Sequence, residues 1–75
     1  MTYTSFAKAV ESLESFYGLR LFENKKKAWK NETYETREYN LVSPTGKILV
    51  GIGLSGIPGR EIHGGSIAWI LEQPQ

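Results

Sequence analysis

The stretch Thr33 to Leu54, TYETREYNLVSPTGKILVGIGL, decides the fold. At its centre, Ser43-Pro44-Thr45-Gly46 puts proline where φ is preset and glycine where the chain must exit, the chemistry of a tight turn. Apolar and polar residues alternate on both sides of it, the period of a strand with one buried face. A four-residue loop pairs Val42 with Lys47, which sets Leu41 opposite Ile48, Tyr39 opposite Val50 and Arg37 opposite Ile52. One face then carries Tyr39, Leu41, Ile48, Val50, Ile52 and Leu54. The reverse face carries Thr36, Glu38, Asn40, Lys47, Leu49, Gly51, Gly53 and Ser55. A slip of one residue would bury the charged set, so pattern and turn support each other.

Upstream, Phe6, Ala9, Val10, Leu13, Phe16 and Tyr17 recur at helical spacing among Lys8, Glu11, Ser12, Glu14 and Ser15, which predicts an amphipathic helix over about 4–17. Thr4 or Ser5 can cap its start, and Gly18 can end it with Leu19 folding back. Residues 19–22 are too few for periodicity to choose between strand and helix. Residues 23–31 read as an exposed basic connection. Downstream, residues 56–65 hold Pro58, four glycines, Arg60, Glu61 and His63 and read as a glycine-rich loop. The apolar run Ile67 to Leu71 reads as a last strand over about 66–72.

The expected architecture is α+β and a single domain over 1–75: an N-terminal amphipathic helix packed on a three-stranded antiparallel β-meander, order α-β-β-β, in two layers. The strand Lys47 to Leu54 is central in that scheme and the last strand is an edge.

Composition narrows the functional classes. The 75 residues include 40% hydrophobic side chains, enough for a packed core. The absence of cysteine excludes disulfides and thiolate zinc sites. No apolar segment has the length of a signal peptide core or a membrane span, so a cytoplasmic protein with no membrane partner is expected. Asn31-Glu32-Thr33 matches a glycosylation acceptor, which matters only in a secreted chain. Nine Lys and Arg against eight acids leave a net charge of +1, so only a local patch could attract a polyanion.

Three motifs bear on chemistry. Gly51-Ile52-Gly53-Leu54-Ser55-Gly56 matches the dinucleotide-binding spacing, but Pro58 and Gly59 follow where a helix should open, so no cofactor is expected. The glycines read instead as positions allowing twist or close approach on the reverse face. His63, the one histidine, has Glu61 and Arg60 beside it and Ser55 and Ser66 within reach in sequence. It lacks the several ligands of a metal site and the ordered partners of a nucleophile, so neither a metal nor an enzyme is expected. Lys25, Lys26, Lys27, Trp29 and Lys30 combine four lysines with an aromatic ring, the pairing that holds single-stranded nucleic acid. Glu23 and Glu32 bracket them, and Trp29 could equally cap the core.

The last strand has apolar residues on both faces. Ile67, Trp69 and Leu71 alternate with Ala68 and Ile70, so one set would join Leu49, Val42 and Tyr34 on an exposed reverse face beside a bare edge. Either the loop 56–65 or the segment 19–30 could instead fold over that surface. The leading expectation is a small non-catalytic protein-binding or regulatory module: an accessory subunit, regulator or phage-type inhibitor of a host protein. It acts on a partner protein or a second copy through Leu49, Gly51, Gly53, Ala68 and Ile70. The alternative is nucleic-acid binding through Lys25 to Lys30.

Overall fold

The computed structural model describes the backbone of residues 2–70 and the side chains of residues 2–64. In chain order it contains β1 (Thr2–Tyr3), α1 (Phe6–Tyr17), β2 (Arg20–Glu23), a 3-10 turn (Lys25–Lys27), β3 (Trp29–Lys30), β4 (Glu35–Val42), β5 (Ile48–Ile57) and β6 (Glu61–Ile70). One helix packs on an antiparallel sheet ordered β1-β6-β5-β4-β2, with β3 pairing β4 as well. The fold is α+β, but six strands among the described residues replace the expected three. The last strand is not the outermost, because β1 pairs with Ile62 and His63 of β6.

Ser5 caps α1 by accepting from the Lys8 amide at 3.1 Å, and Gly18 ends it with φ 70° and an amide bonded to the Glu14 carbonyl. Phe6, Ala9 and Leu13 are buried, and Val10 and Tyr17 pack against them. Phe16 does not join them: it is 73% exposed. At 3.6 residues per turn it lies roughly 80° round the helix from Phe6, just past the margin of the stripe.

The sheet supplies Leu21, Tyr39, Leu41, Val50, Ile52, Leu54 and Ile62 to the same core. Arg37 lines this face too, with its guanidinium 4.3 Å over the Phe6 ring and its Nε 2.7 Å from the Glu35 carboxylate. That bond raises the Arg37 pKa further, and burial pushes the Tyr39 phenol up with Arg37 partly opposing.

Three expectations about the strands are corrected. The register of β4 on β5 lies two residues from the expected one, with Leu41 opposite Val50, Tyr39 opposite Ile52 and Arg37 opposite Leu54. Ser43 pairs with Lys47 across a three-residue loop, and a bulge at Leu49 then shifts the ladder. An offset of two keeps every later residue on its expected face. Ile48, on the far side of the bulge, pairs with Val42 and is 47% exposed rather than facing the helix.

The glycine-rich region 56–65 is not a loop but the second hairpin, so β6 begins at Glu61 rather than near residue 66. Its turn is Ile57-Pro58-Gly59-Arg60, closed by the Arg60 amide on the Ile57 carbonyl, with Gly59 at φ 84°. Pro at the first central position and Gly at the second fit a type II turn. Gly56 is needed for a different reason: a Cβ there would overlap the Glu61 carbonyl oxygen.

Residues 19–30 lie along the outer edge of β4. β2 pairs with Tyr39 to Val42 and β3 with Glu35 and Thr36, while the Asn24 amide bonds the Glu38 carbonyl between them. The expected basic connection is therefore part of the sheet margin.

Candidate binding face

Residues opposite one another on neighbouring strands share a face, so the ladders locate the side chains turned away from α1. One row runs Trp29, Thr36, Ser55, His63 and Thr2 across β3, β4, β5, β6 and β1. Further along β4, Glu38 stands opposite Gly53, and Asn40 lies between Phe22 and Gly51. Neither expected cover folds over this face: 19–30 extends its margin and 56–65 extends its strands.

Its centre is low and its margin is aromatic. Among the described residues, a Cβ at Gly51 would have no neighbour within 4 Å, and one at Gly53 would meet only the Glu38 carboxylate at 3.8 Å. Around this floor Trp29 is 58% exposed and Phe22 51%, with Tyr34, Ile48 and Ile57 also exposed. The Tyr34 hydroxyl donates to Ser55 Oγ at 3.3 Å, which lays its ring across the first row. Leu49, at the bulge, is half-buried. Trp29 does not cap the core.

The two candidate surfaces thus meet. Asn24 caps the 3-10 turn by accepting from the Lys26 amide at 3.2 Å, and Lys27 reaches Glu38 at 3.4 Å, on the floor of the open face. β3 follows, and Asn31 turns the chain back into β4 by accepting from the amides of Thr33 and Tyr34. A depression of about 240 Å³ lies against Ala28, Trp29, Lys30 and Glu35. Among the described residues Lys25, Lys26 and Lys30 have no ion-pair partner. Several carboxylates do: Glu14 lies near Arg20, Glu35 near Arg37 and Glu38 near Lys27.

His63 also stands on the open face, opposite Ser55, with its Nε2 3.6 Å from Glu61. The β5–β6 ladder thus sets Ser55 beside the neighbouring His63 and Glu61. Among the described residues no hydrogen bond links His63 to Ser55, whose hydroxyl accepts from Tyr34 instead. Both His63 and Glu61 are more than half exposed, so water competes for every proton. Nucleophilic catalysis needs the base bonded to the nucleophile and charge stabilisation in a sheltered site. No group of three or more His, Cys, Asp or Glu positioned to hold a metal occurs among the described residues.

Of the residues expected to bind a partner, Gly51 and Gly53 lie on the open face. The side chains of Ala68 and Ile70 fall outside the described residues. Phe22 and Ile57 escaped the sequence reading, which places Ile48 on the covered face; alternation around buried Leu21 could have revealed Phe22. No helix among the described residues is long and apolar enough to cross a membrane. No protein-family model, curated protein or solved structure matches the chain.

Proposed function

We propose that this protein is a non-catalytic binding module that receives a macromolecular partner on the open face of its sheet, with helix and sheet forming two layers behind it. The observation carrying this reading is the floor of Gly51 and Gly53, uncovered among the described residues and ringed by exposed Phe22, Trp29 and Tyr34. Glycine inside a strand weakens it, so two of them on an uncovered face do nothing for the fold and leave room for another molecule. Exposed apolar side chains grouped in this way mark association surfaces.

In the first form of this reading the partner is a protein or a second copy of the chain, seated on Phe22, Ile48 and Ile57. A nucleic-acid partner is favoured by one specific observation, the position of Trp29 on the same face as Lys27 and close in the chain to Lys25 and Lys26, which have no ion pair among the described residues.

Gly51→Glu tests the module, because the new side chain enters empty space and obstructs the face. Light scattering and tagged capture are compared for wild type and variant, with thermal melts to confirm folding. Self-association or partner capture lost in a folded Gly51→Glu protein is the expected result. Identical behaviour of the two proteins would remove the open face from the function.

A further inference from the structure

Resting on that reading, we infer that the β3 corner of the open face binds single-stranded nucleic acid, with Trp29 as the base-stacking platform and Lys25 and Lys26 as phosphate contacts; Lys30, opposite Glu35, belongs to the helix-side face. Charge complementarity selects this occupant. The net charge of +1 hides a local imbalance: nearby Glu38 is held by Lys27, and Glu35 by Arg37. Glu23 pairs with Tyr39, whose side chain is in the core, and so belongs to the opposite face. Glu32 is the remaining acid at this end, against Lys25 and Lys26, which have no ion pair among the described residues.

Lysine is depleted at the centres of protein–protein interfaces, whereas lysines around an exposed ring suit a phosphodiester chain whose bases can stack. The shape favours a single strand over a duplex. A sheet face offers no helix or projecting ribbon to enter a major groove, and a base must be unpaired to lie on Trp29. Trp29 and Phe22 pair with Thr36 and Asn40, four residues apart on β4, so they are separated by about 13 Å along the margin. Lys27 and Glu38 lie between them, and Tyr34 lies inward of Trp29. A short strand following this margin meets both rings.

The test uses the full chain carrying Trp69→Phe, so that tryptophan fluorescence reports Trp29 alone. It is titrated with a 12-nucleotide thymidine strand, the matching uridine strand and a DNA duplex across a salt series. The expected result is binding of at least one single strand with quenching of Trp29, and weaker duplex binding. Two phosphate contacts give a log–log salt slope of about −1.4. Trp29→Ala should weaken binding about five- to hundredfold. Lys26→Ala should flatten the slope by about 0.7. Both positions are exposed, and melts confirm that the variants fold.

Three outcomes overturn the inference: no single-strand binding at low salt, equal duplex binding without quenching, or unchanged affinity in Trp29→Ala. If no strand binds but a partner or self-association is lost in Gly51→Glu, the nucleic-acid inference fails and the binding-face reading stands. If the strand binds wild type and Gly51→Glu alike, the glycine floor is not part of the site and the β3 corner alone remains.

Discussion

The two faces of this sheet are made by the same strands and differ in nearly everything else. Along β5, Val50, Ile52 and Leu54 are sealed beneath the helix, while Gly51 and Gly53 alternate with them on the other side. Along β4, Tyr39 and Leu41 are buried, and Thr36, Glu38 and Asn40 face the opposite way. A strand's period of two forces the division but does not dictate what fills the second face. A face serving only solubility would carry charged or β-branched side chains. This one has glycines at its centre and aromatic rings at its margin, a composition that costs the sheet stability and leaves space.

Substitutions can break or sharpen that contrast. Ile52→Ala should cost about 2–5 kcal/mol by urea denaturation, a large share of the roughly 4–11 kcal/mol expected for a domain of this size. Its open-face counterpart Asn40→Ala should stay within about 0.5 kcal/mol; equal losses would mean that the faces are not distinct. Among the glycines, Gly56→Ala forces a Cβ into the Glu61 carbonyl and should cost about 1–3 kcal/mol. Gly51→Ala should instead stabilise the fold by about 0.5–1 kcal/mol, since it fills empty space in a strand interior.

A subtler difference is electrostatic. Burial raises the Tyr39 pKa above its ordinary value near 10. The unfolded chain therefore loses that proton first, and stability should fall as pH climbs from about 10 towards the folded-state value. Tyr39→Phe should flatten this decline in denaturation curves recorded between pH 9 and 11. Smallest of all, Trp29→Ala should leave the melting free energy within about 0.5 kcal/mol, because the ring is mostly exposed.

The covered face was legible in the sequence because burial leaves a periodic trace. The helix stripe and the alternation of Tyr39 to Leu54 needed no tertiary information, and an even offset left the face assignment intact. Other features depended on the whole fold. β1 and β3 are two residues each, too short for any local signal, and exist because β6 and β4 offer open edges. The turn at Pro58-Gly59 did have a local signature, hidden by the further glycines and charges that made the region resemble a loop. The meeting of Trp29 with the glycine floor was not readable, since it depends on how β3 docks along β4.

The working surface can be located directly by amide chemical-shift mapping of the labelled protein during titration with the 12-nucleotide strand. Shifts centred on Trp29, Tyr34, Thr36, Gly51 and Gly53, with Ala9, Leu13 and the rest of α1 silent, are the expected result. Shifts confined to α1, or none at all, would contradict a nucleic-acid strand held on the open face.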